Sequence, residues 1–415
     1  MTFEILFLLF LCGNTALFFY FYVRQVRSVR LHRDVIPHVF TGSVTLKEHQ
    51  KASDLSLLQA KFREVHRITN LGVILVLTYG GLLGWYFSAI NSEFGTGLTS
   101  QYLVVFGVMA AFLIVDLIFY ALAKNESYPV SVLPGGTQSF FRRITFLILT
   151  ALVVLPIWNS GISYWWVWAG LATFALSSLT HLGFSLTVSC QPMPDGELKS
   201  RLEGFLKRIK FNSAELYLAK DDSWNYDDNV RVLGIGSKKK VVLSTFILNK
   251  LTPLEIEALI ANKVCQNKLD NKFTSWMTGL VCSILFFLIL ETVSTKLWFY
   301  SGLGVETFEL PSHGLALTLF VIAAYVFISP LIPFRNTLSW MKDERAERSS
   351  VRLVDWNALI SALVKETAHH AGSLVPDSWY YKLVSRTPDV MYRIRLIQHL
   401  APRHTRQRDS WLPNA

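Results

Sequence analysis

Apolar residues gather into seven long runs along the chain, and polar segments separate these runs. A helix needs about 20 mostly apolar residues to cross the hydrocarbon of a bilayer, and each run approaches that length. The pattern therefore predicts seven transmembrane helices. They cover residues 3–23, 71–90, 102–123, 144–158, 162–188, 274–293 and 315–334.

The polar segment 189–272 shows the shorter periodicities of a folded region. Apolar residues at helical spacing predict a helix over 196–209, and alternation predicts three short strands, at 215–218, 230–233 and 241–243. A Gly-Ser-Lys-Lys-Lys turn joins the last two strands into a predicted β-hairpin. A second helix is predicted over 252–271, leading straight into the sixth span. It starts with Thr-Pro-Leu-Glu, which supplies an N-cap, a first-turn proline and a capping-box glutamate.

The distribution of lysine and arginine predicts the orientation in the membrane. These residues are frequent in the loops 24–70 and 124–143 and in the segments 189–272 and 335–415, whereas 91–101 and 159–161 contain none. The loop between the last two spans contains only Lys296. Because cytoplasmic loops carry the excess of positive charge, we expect the N-terminus outside and the C-terminus in the cytoplasm. The first span lacks a basic leader and is expected to be a retained anchor.

The predicted organisation has four parts. Residues 1–188 contain five transmembrane helices with basic cytoplasmic loops, and 273–334 contain the sixth and seventh helices. The cytoplasmic parts are 189–272 and 335–415.

Composition agrees with an integral membrane protein. The 415 residues are 51% hydrophobic and 17% charged, whereas soluble domains are about a quarter charged. The net charge is +10, but the basic residues lie in loops beside the spans, where they meet lipid head groups. The bilayer is therefore a predicted partner and nucleic acid is not. The four cysteines form no Cys-x-x-Cys pair, so neither a disulfide framework nor a cysteine zinc site is indicated.

Five short motifs follow one another between residues 192 and 398. They read PMPDGELKSRLEGFLKRIKF, NVRVLGIGSKKKVVLSTFILNKLTPLEIEALIA, DERAE, NALISALVKE and SWYYKLVSRTPDVMYRIRLI. In this order, with two spans between the second and third motifs, the chain resembles the membrane zinc metallopeptidases of the HtpX and CAAX prenyl endopeptidase type. The seven spans fit the prenyl endopeptidase branch better. The resemblance implies a mainly α fold with seven transmembrane helices and a cytoplasmic α+β zincin-like domain, in which a short β-hairpin packs with helices.

The chemistry of that family depends on an H-E-x-x-H helix, whose two histidines bind zinc while the glutamate acts as general base. The helix 252–271 resembles it but reads ANKVCQ. The resemblance places Asn262 and Gln266 at the histidines and Lys263 at the base. Amides are feeble zinc ligands beside imidazole, and a protonated lysine has no lone pair with which to accept a proton.

The acidic motif and the C-terminal motif also depart from the family. The resemblance places Asp343 at the third zinc ligand, Glu347 at the last acid of the acidic motif, and Thr387 at a histidine near the C-terminus. We therefore expect that zinc proteolysis is lost, that the chain has no catalytic residue, and that it has no zinc cofactor.

Two further interpretations concern this site. Lys263 is predicted to pair with Asp343 or Glu347 in place of the metal, and the alternative is that Lys263 faces water. A displaced metal site would use Cys265 with Asp343, and His369 and His370 lie further along the chain. A buried structural thiol is the preferred interpretation of Cys265, and adjacent histidines cannot reproduce the i, i+4 geometry.

Two other sets of residues are candidates for binding. Asn229 matches an Asn of the family at the start of a strand edge, so the strand at Val230, Arg231 and Val232 is a candidate for pairing with an extended peptide. A plain hairpin strand is the alternative. Asp116 and His181 are ionisable at membrane depth, which favours the lining of a watery chamber over simple hydrogen bonds between helices.

The sequence thus predicts a proteolytically inactive relative of the membrane metallopeptidases that binds, scaffolds or regulates a peptide or membrane-protein partner. One alternative is a zinc endopeptidase with an altered site, and another is a protein that handles lipid or solute in the chamber. The predicted membrane is the bacterial inner membrane or the endoplasmic reticulum.

Overall fold

The computed structural model describes residues 2–125, 136–187, 190–211, 214–219, 229–235, 238–305, 312–369 and 373–409. The chain divides into two compact units. The first comprises Met1–Val23, Leu58–Leu182 and Lys272–Ile332, and the second comprises Arg24–Leu57, Gly183–Asn271 and Pro333–Ala415. Each unit has its own hydrophobic core.

Helices dominate the described residues, and four short strands form one sheet. In chain order the elements are α1 Thr2–Leu31, α2 Leu46–Leu77, α3 Leu82–Phe94, α4 Leu98–Asn125, α5 Gly136–Asn159, α6 Trp165–Thr187, β1 Cys190–Pro192, α7 Glu197–Arg208, β2 Ala214–Ala219, β3 Val230–Ile235, β4 Lys238–Leu243, α8 Thr245–Lys250, α9 Pro253–Leu269, α10 Lys272–Ser294, α11 Leu297–Ser301, α12 His313–Ile328, α13 Ile332–Ser350, α14 Trp356–His369, α15 Ser378–Val384 and α16 Val390–Asp409, with 3₁₀ turns at His38–Phe40 and Ser329–Leu331.

The first unit is a bundle of apolar helices. Among the described residues, four helical segments are long and apolar enough to cross a membrane, namely Thr2–Leu31, Leu98–Leu122, Lys272–Ser294 and His313–Ser350. The bent pair α2 and α3 adds a fifth, and the apolar part of α5, Ile144–Asn159, is shorter. Each of the seven predicted spans overlaps helices of the structure, although residues 162–164 precede α6 and residue 188 lies outside the described residues. The chain is therefore a multi-pass membrane protein. The count of seven crossings stays a prediction.

The second predicted span is wrong in one respect, because the helix breaks in its middle. α2 ends at Leu77 and α3 begins at Leu82, with an angle of 55° between them. Gly81 has a φ of +70°, which favours glycine, and a Cβ on Gly80 would lie 2.6 Å from the carbonyl oxygen of Val76. Two glycines therefore set the bend, and a count of apolar residues does not detect it.

The bend predicts a cost for any side chain at Gly80. In Gly80→Ala the new Cβ has to displace backbone rather than a flexible side chain, so we expect a loss of about 1–3 kcal/mol in the free energy of unfolding. The unfolding midpoint of the purified protein in detergent measures this. Gly13→Ala is the control, because nothing lies within 4 Å of a Cβ there. Equal midpoints for the two variants would contradict the assignment.

The second unit contains the sheet, whose strand order is β1-β2-β4-β3. β3 and β4 form the predicted antiparallel hairpin, with Val232 opposite Val241. β2 runs parallel to β4, and β1 pairs antiparallel with β2. The sequence analysis missed β1, because three residues are too few to show alternation.

Helix α9 crosses the core of the second unit, and its start is as predicted. Thr252 accepts a hydrogen bond from the backbone of Glu255, whose carboxylate accepts one from the backbone of Thr252. The same carboxylate accepts bonds from Lys365 and Ser361 of α14. Burial raises the pKa of Glu255, but these hydrogen bonds outweigh it and the pKa is lowered. The capping box therefore also ties α9 to α14.

The predicted end of α9 is wrong by two residues. The helix ends at Leu269 rather than at residue 271, and Asp270 is extended, with a ψ of 95°. Asp and Asn side chains compete with helical backbone bonds, and Asp270 and Asn271 separate α9 from α10 in this way. The active-site-like helix therefore does not continue directly into the sixth span.

Candidate functional site

A small pocket, partly open to solvent, lies in the second unit where α9, α13, α14 and α16 approach the start of β3. It brings together most of the residues that the sequence analysis assigned to the degenerate site. Its lining residues are Val230, Leu259, Asn262, Lys263, Gln266, Asp343, Glu366, Thr387, Pro388 and Arg393.

Asn262 lies at the bottom of this pocket with 2% of its surface exposed. Its amide oxygen accepts hydrogen bonds from Gln266 and from Arg393, both at 3.3 Å, and its amide nitrogen donates to Ser350 at 3.4 Å. Gln266 lies one turn after Asn262 on α9, so its amide reaches the same face. The two residues at the histidine positions therefore bond to each other.

Arg393 of α16 connects Asn262 to the acidic helix α13. Its guanidinium donates to Asn262 and forms an ion pair with the carboxylate of Glu347. The side chain of Glu347 is 2% exposed and that of Arg393 is 20% exposed. Burial raises the pKa of Glu347 while Arg393 opposes that rise. Burial would lower the pKa of Arg393, but the carboxylate outweighs it and the pKa is raised.

Asp343 lies one turn before Glu347 on α13. Its side chain lines the pocket together with that of Lys263. Burial raises the pKa of the Asp343 carboxyl to about 6, although the positive charges of Arg393 and Lys263 act in the opposite direction. Lys263 is half-buried and its charge acts on Asp343, as the predicted pairing requires. The predicted partner Glu347 is paired with Arg393. The Lys263–Asp343 ion pair itself stays a prediction.

The strand edge begins at the same pocket. Asn229 is buried, donates to Glu366 of α14 at 2.9 Å and accepts from Ser244 at 3.0 Å. Val230 lines the pocket, and β3, which includes Arg231 and Val232, is the last strand in the sheet order. An edge strand is the kind of element that pairs with another chain, and the pairing of β3 with an extended peptide stays a prediction.

The residues present do not fit a zinc ion. Amide groups occupy both histidine positions, and two cations, Lys263 and Arg393, line the pocket. The described residues contain no group of three or more His, Cys, Asp and Glu that could hold a metal. Cys265 is buried and absent from the lining, and burial raises the pKa of its thiol, which disfavours the thiolate that binds metals. The side chain of His369, and all of His370, lie outside the described residues.

The two candidate residues at membrane depth, Asp116 and His181, belong to the first unit. The carboxylate of Asp116 on α4 accepts a hydrogen bond from Nε2 of His66 on α2 at 2.5 Å, and the amide nitrogen of Asn70 lies 3.3 Å from the same ring nitrogen. The structure therefore gives Asp116 a bond between helices. A role in lining a chamber stays a prediction. His181 lies on α6, and its side chain is outside the described residues.

The sequence analysis missed two residues of the site, Arg393 and Glu366. Arg393 falls in the quoted motif MYRIRLI, which carries two arginines, and the resemblance singled out neither of them. Glu366 follows NALISALVK in the same manner. Neither residue belongs to the metal-binding motif, and only the fold brings them to it.

These features define a class of protein: a multi-pass membrane protein with a metallopeptidase-like helix and acidic helix in its second unit. Three comparisons with known proteins agree with this class. The family model described as "CAAX prenyl protease N-terminal, five membrane helices" matches residues 25–123. The CAAX prenyl protease 1 homolog of Arabidopsis thaliana is 21% identical over 408 residues, covering 91% of this chain and 93% of that protein.

The fold is similar to that of a solved structure. The crystal structure of S. mikatae Ste24p matches with a TM-score of 0.74 at 16% identity, covering 96% of this chain and 99% of that chain. The two sequence matches support the CAAX prenyl protease-type family of membrane proteins, and the structural match supports a Ste24p-like fold.

The buried ion pair predicts a large effect of removing its cation. Arg393→Met leaves the carboxylate of Glu347 buried without a counter-charge, so we expect the free energy of unfolding to fall by about 3 kcal/mol. Unfolding of the purified protein in detergent measures the loss.

Two further variants sharpen this test. Arg395→Met removes an exposed arginine two residues away on α16 and should change the free energy of unfolding by less than about 0.5 kcal/mol. Arg393→Met combined with Glu347→Leu should recover much of the loss, because no uncompensated charge remains. An Arg393→Met variant as stable as Arg395→Met would show that the pair does not hold the helices.

Proposed function

We propose that this chain is a proteolytically inactive relative of the membrane metallopeptidases that acts as a binding, scaffolding or regulatory protein. The observation that carries the proposal is the pocket in which Asn262, Lys263 and Gln266 stand at the ligand and base positions. A protonated Lys263 has no lone pair to activate water, and the amide of Asn262 is already bonded to Gln266 and Arg393.

Charge balance supports the same proposal. In a site of the family type, a divalent metal and a base carboxylate together contribute one net positive charge. Lys263 contributes the same single positive charge beside Asp343 and the Arg393–Glu347 pair. One cation in place of metal and base therefore leaves the electrostatics of the acidic helix nearly unchanged while removing the chemistry.

The partner in this proposal is a peptide or a membrane protein with an extended segment. Val230, Arg231 and Val232 would pair with it as an added strand, and the pocket beside Val230 would receive a side chain or the end of the segment. A chamber within the helices, lined by Asp116 and His181, would be the family feature that a lipid- or solute-handling role would use instead. The His66–Asp116 contact is a hydrogen bond between two helices, so it supports this second candidate less than it supports the binding role.

The topology of the proposal follows the sequence analysis. Seven spans place the N-terminus outside and the C-terminus in the cytoplasm, so that the second unit is a cytoplasmic zincin-like domain. The membrane is the bacterial inner membrane or the endoplasmic reticulum.

Metal analysis of the purified protein tests inactivity most simply. We expect far less than one zinc per chain after purification without chelator, together with no chelator-sensitive peptidase activity, because the donor set lacks imidazole. Stoichiometric zinc with chelator-sensitive cleavage would establish the alternative, an endopeptidase with an altered site.

A restored variant provides the matched positive control. Combining Asn262→His, Lys263→Glu, Gln266→His and Asp343→Glu rebuilds the family's ligand set on the same helices, and we expect it to bind zinc at about one ion per chain. If the restored variant binds zinc and the original chain does not, the substitutions themselves account for the loss.

A further inference from the structure

A cluster of basic residues surrounds the turn that ends α7. None of these residues lines the pocket of the degenerate site. Lys207 lies in the last turn of α7, Lys210 follows it, Lys239 comes from β4, and Lys268 comes from the last turn of α9. We call these four lysines the basic cluster. Lysines from three separate elements of the second unit therefore lie around one short turn.

Specific contacts hold this arrangement together. The ammonium group of Lys268 donates to the backbone carbonyl of Ile209 at 2.9 Å, and that of Lys239 lies 4.8 Å from the centre of the Phe211 ring. Lys210 has a φ of +55°, in the region where helices usually end on glycine. The lysines are therefore placed by the fold rather than scattered over a solvated face.

Among the described residues, two acids of α9 and of the turn after it pair with cations outside the cluster. Glu257 forms ion pairs with Arg201 at 2.7 Å and with Arg208 at 3.8 Å. Asp270 lies 3.8 Å from Lys342. Lys207, Lys210 and Lys268 are exposed, so the surface keeps a local excess of positive charge that is available to an anionic partner.

The chain itself limits how far this surface is from the bilayer. Lys268 precedes Lys272, the first residue of the candidate span α10, by four residues, which span at most about 14 Å. Trp276 follows in the second turn of α10 and is 57% exposed. Tryptophan is enriched at the level of lipid head groups, so the start of α10 marks that level.

We propose that the basic cluster binds the head groups of anionic phospholipids in the leaflet where α10 begins. Basic clusters beside a transmembrane helix attract anionic lipid through the negative surface potential of the leaflet. The occupant is a membrane lipid rather than a soluble anion, because Lys268 of the cluster lies four residues before a candidate span and the leaflet presents many phosphates at that level. This inference does not depend on whether the degenerate site binds a peptide.

Lipid retention by the full-length protein tests the inference. Protein in neutral detergent is mixed with dioleoyl phosphatidylglycerol or dioleoyl phosphatidylcholine, and bound lipids are counted by native mass spectrometry across a range of lipid and salt concentrations. We expect preferential retention of phosphatidylglycerol that weakens with salt. Lys207→Gln, Lys239→Gln and Lys268→Gln together should weaken it on the order of 100-fold, about fivefold for each lysine.

Two matched variants separate charge from folding. Lys250→Gln, Arg352→Gln and Arg395→Gln remove the same charge from exposed positions elsewhere in the second unit and should leave retention unchanged. Lys207→Arg, Lys239→Arg and Lys268→Arg keep the charge and should keep retention. Equal retention of the two lipids, equal loss in the glutamine control, or full displacement of phosphatidylglycerol by inorganic phosphate would each overturn the inference.

Discussion

The buried ion pair between Arg393 and Glu347 is the interaction on which the second unit most depends. Through its additional bond to Asn262, Arg393 joins α16 to both α9 and α13. A buried charge is costly unless it is paired and hydrogen-bonded, so the three helices are held in the register that keeps the pair intact. In a metal site of the family type, zinc would join α9 to α13. Here the guanidinium of Arg393 and the amide of Asn262, which also donates to Ser350 of α13, make that connection.

In the proposed inactive protein, this connection would let the site keep its shape without the family's metal-binding residues. The capping box at Thr252 fixes the start of α9, and the Glu255–Lys365 pair fixes its packing on α14. Both lie outside the metal-binding motif, so neither depends on histidines or zinc. The helix and its docking partners therefore survive when the ligand and base positions change to Asn262, Lys263 and Gln266.

Local signals were sufficient for much of the fold. The hairpin β3–β4, the capped start of α9 and the helical nature of every predicted span follow from short-range periodicity and capping chemistry. The break at Gly80 and Gly81 depends on a close approach between backbone atoms, which a hydropathy pattern does not record. The parallel pairing of β2 with β4, and β1 itself, depend on contacts between distant segments.

The candidate site was likewise predicted only in part from the sequence. The motif order placed Asn262, Lys263, Gln266, Asp343 and Thr387 together, and the structure brings them to one pocket. The partner of Glu347 was not foreseen, because charge pairing across 46 residues depends on how α16 packs. From the sequence, either Asp343 or Glu347 could pair with Lys263. Only the fold shows that Glu347 forms its ion pair with Arg393.

The central claim is that protein groups, and not a metal, connect α9 to α13. Unfolding midpoints of the purified protein, measured with excess zinc and with a strong chelator, test it directly, because any ligand that binds only the folded state raises the midpoint. The account predicts midpoints that agree within about 1 °C, which corresponds to a fraction of a kcal/mol. A midpoint that falls with chelator and recovers with zinc would contradict it.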